Sequence, residues 1–420
     1  MKALDLIEGI RNHEYDDKFN ELYVDIEKQK KRYIELLDKY IELYGDNEIH
    51  IFSAPGRSEI GGNHTDHQHG KVLACAIDMD IVCALSFTDD GVVELTSEGF
   101  GTSIVDLNDI EVKEEEKGTS ASLIRGIAYS FKKKGLTVKG FKAFMVSDVL
   151  GGSGLSSSAA FESLIGTIFS KGLNDGTVND IEIARIGQYA ENVYFGKPCG
   201  LMDQMASSCG GFVYIDFKDE PKIEKIDFDL TEYGYRLCVI DTRGTHASLT
   251  DEYASIPSEM KMVASFFNRE YLSEISEEEF YQNIRELRKL DNDRALLRAH
   301  HFLSENKRVP LMAEALRKKD IDTFFKLVKR SGGSSFKYLQ NIYASNNAHV
   351  QEISLALALI EKFLDEKGAY RVHGGGFAGT VQAYVKKEDI ESFKELMEMV
   401  FGKDCVYVLN IRKSGAIRFI

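Results

Sequence analysis

The sequence predicts an α+β protein of two domains with its functional site at their junction, and three observations carry this. Residues 49 to about 93 form short apolar runs broken by glycine, the texture of β-strands. Two other stretches, residues 1–45 and about 257–330, space their apolar side chains at helical intervals between charged ones. A charged segment, Asp216–Tyr235, separates two halves that each hold strands and helices. It sets the expected domains at 1–220 and 221–420.

The elements follow in order. Phe19, Leu22, Tyr23, Ile26, Tyr33, Ile34, Leu37, Ile41 and Tyr44 mostly fall three or four apart and stop at Gly45, which predicts an amphipathic surface helix. Strands are expected at Ile49–Ser53, Lys71–Ile77, Ile81–Thr88 and Val92–Thr96. A helix at about Ser120–Lys134 and a strand at Phe141–Val146 come next. Helices at about Ser157–Ser170 and Asp180–Asn192 precede a strand at Gly211–Asp216. Beyond the charged segment, strand Arg236–Asp241 leads into a helical region from about Pro257 to Arg330. Within it, Ser276 and Glu279 have the spacing of a capping box. Two further helices and glycine-rich strands complete the chain.

With 43% apolar and 28% charged residues the chain reads as a soluble globular protein. Its net charge of −15 argues against a nucleic-acid partner, whose backbone requires clustered Lys and Arg. Six scattered cysteines without a C-x-x-C pair suggest reduced thiols and a cytoplasmic location. No run of apolar residues is long enough to span a membrane, so no membrane partner is expected.

The segment Val149–Ala160 lies between an expected strand and an expected helix. Gly151, Gly152 and Gly154 let backbone approach a ligand closely, with Ser153 and Leu155 between and after them. Ser156, Ser157 and Ser158 fall where the first N–H groups of the helix point outward. Those donors and the helix dipole make an anion site. A plain Gly/Ser turn with serine caps would look similar, but the order strand, glycines, serines, helix favours phosphate. No Walker A loop occurs, and neither G-x-G-x-x-G nor the protein-kinase signatures are present.

A second glycine-rich segment, Ala54–Gly70, gathers Arg57, Asn63, His64, Asp66, His67 and His69. Convergent guanidinium, amide and carboxylate groups suit a polyol. The histidines and Asp66 are also chemically able to bind zinc, although the spacing is not H-E-x-x-H. Further on, Asp203 stands alone among apolar and small residues at the start of an expected helix. Beside a substrate hydroxyl it could accept a proton, with Arg57 stabilising the charged pair.

These segments resemble a known family. The loop 151–158 is similar to the nucleotide loop of the GHMP small-molecule kinases. Residues 56–67 are similar to the galactokinase signature G-R-x-N-L-I-G-E-H-x-D-Y, matching at Gly56, Arg57, Gly62, His64 and Asp66. Glu59 stands for Asn, Gly61 for Ile, Asn63 for Glu and His67 for Tyr. Residues 190–204 closely resemble A-E-x-x-x-x-G-x-P-C-G-x-M-D-Q, and Val372–Tyr384 matches the third GHMP motif, with Ala378 in place of a glycine.

The resemblance implies a two-domain GHMP kinase fold with mixed sheets, helices on one side and the active site between domains. It implies ATP-dependent phosphorylation of galactose at the anomeric hydroxyl, with ATP and Mg²⁺ as cofactors and a monomer or weak homo-oligomer. Asp203 and Arg57 become the catalytic pair, and Ser158 and Glu191 the Mg²⁺ ligands. Arg57, Asn63, His64, Asp66, Gly200, Asp203 and Tyr253 become the sugar-binding set. Asn63 is the expected point of substrate choice, because an amide would not repel a carboxylate as Glu does, which opens galacturonate as an alternative. A non-catalytic sugar sensor and a zinc hydrolase are the other function classes. Keeping Arg57, Glu191 and Asp203 argues for the enzyme.

Overall fold

A computed structural model describes residues 1–149, 154–244 and 249–420. The described residues form two sheets, one of eight strands and one of four. The larger sheet contains β1 (His50–Gly61), β2 (Lys71–Thr88), β3 (Val92–Ser97), β4 (Gly101–Asp106), β5 (Gly140–Ser147), β6 (Phe212–Asp216) and β7 (Lys222–Ile226). The smaller is built from β8 (Tyr235–Asp241), β9 (Ala369–Val372), β10 (Thr380–Lys386) and β11 (Val406–Leu409). The last strand, β12 (Ile417–Arg418), returns to the larger sheet and pairs antiparallel with β1. The larger sheet is mixed, since β3 runs parallel to β5 while its other pairings are antiparallel. Thus β7, within the charged segment, and β12, near the C-terminus, both belong to the sheet that carries β1.

The core explains the strand pattern. Along β2, Cys83 and Leu85 face one cluster of buried side chains, whereas Val82 and Ala84 face another. A strand buried on both faces reads as a continuous apolar run rather than an alternating one. One face packs on helices Ser120–Lys133 and Ser157–Leu173. The other is covered by the N-terminal segment, so helices lie on both sides of this part of the sheet. That N-terminal segment is three helices, not one: Ala3–Arg11, Asp16–Leu22 and Ile26–Tyr44. His13 adopts a positive φ between the first two, and Asp25 caps the third by accepting from the Lys28 N–H. Apolar spacing ran through these breaks because all three helices bury one face on the same surface.

Two expected loops are strand. β1 continues past Ser53 through Arg57 to Gly61, with irregular register between Pro55 and Arg57 and again between Glu59 and Gly61. Bulges of this kind re-aim side chains next to functional sites. The two strands expected between Lys71 and Thr88 are one strand that pairs β6 in its first part and β5 in its second. Helix Asp180–Tyr189 ends in a π-turn, Ala190–Phe195, which contains Glu191. π-turns concentrate at functional positions because the extra residue pushes a side chain out of helical register.

Candidate active site

Arg57 is the centre of the site. Its guanidinium donates to both oxygens of Asp203, Nε to Oδ1 and Nη2 to Oδ2, each at 2.7 Å. Its third nitrogen, Nη1, donates to the Gly154 carbonyl, and its backbone N–H to the Leu155 carbonyl at 3.0 Å. One residue of the sugar-like segment therefore holds both the acid and the end of the phosphate loop. Ser156 completes the arrangement by donating Oγ–H to Asp203 Oδ2 at 2.7 Å. It stands at the N-cap of helix Ser157–Leu173 with φ of 60°, which turns the chain sharply into the helix.

Asp203 lies in the first turn of helix Met202–Cys209. Burial acts to raise its pKa, but Arg57 and the Ser156 hydroxyl hold it below the usual carboxylate value. The side chain nevertheless keeps 29% of its surface exposed, enough to meet a ligand. Burial likewise opposes the charge of Arg57, and Asp203 restores it. The pair is ionised. An acid held this low is suited to orienting a hydroxyl and stabilising charge more than to storing a proton.

The first residues of the phosphate loop, Gly151, Gly152 and Ser153, lie outside the described residues. From Gly154 onward the chain lies as expected between β5 and the helix, with Ser157 and Ser158 half-buried at its N-terminus. One turn beyond Ser158, on the same helix face, is Glu162, fully buried. Gln204 bridges it to Glu191: its Nε2 donates at 2.9 Å to Glu162 Oε2 and at 2.9 Å to Glu191 Oε2. Burial, and then the nearby Glu191, push the pKa of Glu162 well above the ordinary carboxyl value. Lys197 lies 3.4 Å from Glu191 Oε1. Glu162 Oε1 and Gln204 Oε1 are buried without a partner.

The sugar-like segment is tied down by its own neighbours. Asn63 is 1% exposed. Its Nδ2 donates to Glu59 Oε1 at 3.1 Å and to the Gly374 carbonyl at 2.8 Å. Its Oδ1 accepts from Asn341 at 2.8 Å and Ser335 at 3.2 Å, and its carbonyl meets His301 Nε2 at 2.9 Å. The hydrogen-bonding capacity of its side chain is met by protein. Glu59 in turn pairs with Arg371 at 2.8 Å.

Asp66 is partly exposed and lies against Gly200, where an added Cβ would come within 2.4 Å of Asp66 Oδ2. Any larger residue there would displace the Asp66 carboxylate. His64 contacts the Gly375 carbonyl at 3.1 Å, and burial, then His67, lower its pKa to about 4, so it is neutral. Tyr253 sits on helix Thr250–Phe266, which begins before Pro257 and includes it. Its hydroxyl donates to the Gly376 carbonyl at 2.7 Å, closing over the glycine turn. His69 stacks on Tyr271 with centroids 3.7 Å apart. Among the described residues no three His, Cys, Asp or Glu side chains come together as a metal site, so the zinc alternative loses its cluster.

Comparison with known proteins bears on this geometry. A family model described as "Galactokinase galactose-binding signature" matches residues 38–87, and "GHMP kinases N terminal domain" matches residues 122–211. A galactokinase of Actinobacillus pleuropneumoniae is 32% identical over 363 residues, 86% of this chain and 91% of that protein. The chain belongs to the galactokinase family. The solved galactokinase of Lactococcus lactis, complexed with galactose, is 25% identical, with a TM-score of 0.76 over 91% of this chain and 98% of that one. The mevalonate kinase of Methanococcus jannaschii shares the fold, with a TM-score of 0.61 at 18% identity over 87% of this chain and 99% of that one. The α+β GHMP kinase fold is thus the one the motifs implied.

Within this galactokinase-family framework, sequence reasoning missed Glu162, Gln204, Glu59, Arg371 and His373 as parts of the site. Glu162 had a signal, lying four residues after Ser158 as the one charged residue of its helix before Lys171. Gln204 meets its partners through helix packing, and Glu59, Arg371 and His373 come together only when distant strands are placed side by side. Among the described residues no helix is long and apolar enough to cross a membrane.

Proposed function

We propose that this galactokinase-family enzyme transfers the γ-phosphoryl group of ATP to the anomeric hydroxyl of galactose, giving galactose 1-phosphate. The observation that carries this reading is the double attachment of Arg57, to Asp203 on one side and to the Gly154 carbonyl on the other. A hydroxyl beside Asp203 would then face a phosphate held at the start of helix Ser157–Leu173. In phosphoryl transfer there is little covalent work for the protein, and positioning with charge stabilisation supplies most of the acceleration.

In this reading Asp203 orients the attacking hydroxyl and takes its proton as the new bond forms. Arg57 holds Asp203 in place and balances its charge. Ser156 fixes the second oxygen of the carboxylate. Gly151–Ser158 cradle the nucleotide phosphates, with Gly154, Leu155 and Ser157 supplying close backbone. Asp66, His64, Gly200 and Tyr253 form the wall on the sugar side, and Asn63 holds that wall from behind.

The residues around Glu191 fit a Mg²⁺ ion. The unpartnered buried oxygens of Glu162 and Gln204 and the Glu191 carboxylate form a hard oxygen set, the kind Mg²⁺ prefers. Ser158 and Glu191 would hold the ion, which would supply positive charge beside the phosphates when bound.

The test is a coupled ATPase assay over galactose, galacturonate, N-acetylgalactosamine, arabinose and glucose. Galactose-dependent ADP release with a 1-phosphate product is expected. Turnover on galacturonate and none on galactose would replace the substrate. Sugar binding without ADP release from any of the five would indicate a sensor.

A further inference from the structure

His373 follows β9 at the entrance of the glycine turn 374–376 and is 2% exposed. Its ring is held at one nitrogen, Nδ1, 2.9 Å from Thr380 Oγ1. The other nitrogen, Nε2, is sealed from solvent and has no partner. The ring lies against the end of the phosphate loop: a Cβ added to Gly154 would come 3.4 Å from Nδ1 and 3.6 Å from Cε1. Gly154 is the residue whose carbonyl Arg57 holds. Burial, then Arg57 and Arg371, lower the pKa of the ring to about 3, with Asp203 acting the other way. The imidazole is neutral and lies within the field of the Arg57–Asp203 pair.

Buried polar atoms in folded proteins are nearly always paired, so an orphan nitrogen beside a ligand loop has the form of a ligand contact awaiting its partner. We propose that His373 is a further catalytic residue, whose Nε2–H donates a hydrogen bond to an oxygen of the phosphoryl group being transferred. In this proposal the Thr380 hydroxyl donates to Nδ1, which places the ring proton on Nε2. A neutral donor adds a directed hydrogen bond without crowding a third positive charge against Arg57 and Arg371. The inference rests on the kinase reading above.

Two substitutions separate contact from scaffolding. His373→Asn keeps an amide near Nδ1, able to meet Thr380, but has nothing at the Nε2 position. His373→Gln does the reverse, placing an amide N–H near Nε2. If Nε2 touches phosphate, His373→Asn lowers kcat about 10- to 100-fold, the worth of a hydrogen bond to a charged group. It leaves the KM for galactose and the affinity for ADP within about twofold, and His373→Gln recovers most of the loss. ADP with aluminium fluoride, which mimics the phosphoryl group in flight, should weaken in parallel with kcat. A purely structural role gives the opposite order, with His373→Gln the more damaged and ADP binding lost in step with thermal stability. That order, or fluoride-complex affinity unchanged in His373→Asn, overturns the proposal. Should the unaltered protein phosphorylate no sugar, the kinase reading fails on its own. The fluoride-complex affinities of wild type and His373→Asn, measured by calorimetry, would still decide whether Nε2 meets the phosphate position.

Discussion

The sugar-like segment and the acidic cluster at Glu191 are both buried and polar, yet they are finished differently. Around Asn63 every donor and acceptor of the side chain meets a protein group. Around Glu191 two oxygens, on Glu162 and Gln204, meet nothing. A side chain whose groups are all paired is fixed by the protein, and one with a buried unpaired oxygen, as on Glu162, Gln204 and also Asn341 beside Asn63, is where a ligand completes the structure. By that criterion the proposed roles divide: Asn63 reads as scaffold, whereas Asp203, with 29% of its surface free, and the Glu162–Glu191 cluster are the places proposed to meet ligands. The contrast also explains the unusual signature. Where the family pattern has Asn and then Glu, this chain has Glu59 and then Asn63, and the two hydrogen-bond each other at 3.1 Å. The amide and the carboxylate have exchanged positions relative to that pattern, and in this chain they are in contact.

The largest expected effect is on the ligand-facing side. Asp203→Asn should lower kcat by about a thousandfold while galactose still binds by calorimetry. Turnover within tenfold of wild type would remove Asp203 from the reaction. On the closed side, Glu59→Asn should cost about 3 kcal/mol in urea unfolding, because it leaves Arg371 buried without its counter-charge. Adding Asn63→Glu should restore about 1 kcal/mol or more if the two positions are coupled as a pair. Strictly additive losses would show that the exchange is not compensated. Glu191→Gln should raise the Mg²⁺ concentration needed for half-maximal rate by about 10-fold or more with little change in unfolding midpoint. A metal requirement identical to wild type would move the ion elsewhere.

A smaller effect concerns acid. His64 and His373 titrate at about 4 and about 3 in the folded protein, against 6.5 for an unperturbed histidine. At these two groups the unfolded chain binds more protons, so their contribution to stability falls as pH drops from about 6.5 toward 3, while the raised pKa of Glu162 acts the other way. On going from pH 7 to pH 5, the change in urea midpoint should be more unfavourable for wild type than for His64→Gln. An equal change in that variant would mean His64 is already charged when folded.

The sequence made some of this legible for definite physical reasons. Arg57 and Asp203 stood out because isolated charges in glycine-rich or apolar surroundings need a partner, and each turned out to be the other's. Strands were legible from their apolar runs. The role of Asn63 was not, because whether an amide faces a ligand or the interior depends on Asn341 and Ser335, which are 278 and 272 residues away. His373 was read only as part of a glycine turn. Its burial against Gly154 arises from the pairing of β9 with β10 and has no local signature.

The return of the chain to β1 has a consequence in time. Ser53, on the strand that carries Arg57, receives a hydrogen bond from Arg412, 359 residues further along. Both strand partner and anchor of β1 on that side come from the last part of the chain. At ribosomal speeds of about 5–20 residues per second, roughly 20 to 70 s pass between synthesis of Ser53 and of Arg412. Throughout that interval one edge of β1 has no strand beside it. The strand that carries Arg57 is made early and closed on that edge late, so a nascent chain of this protein depends on whatever shields an open strand edge until the partner segment arrives.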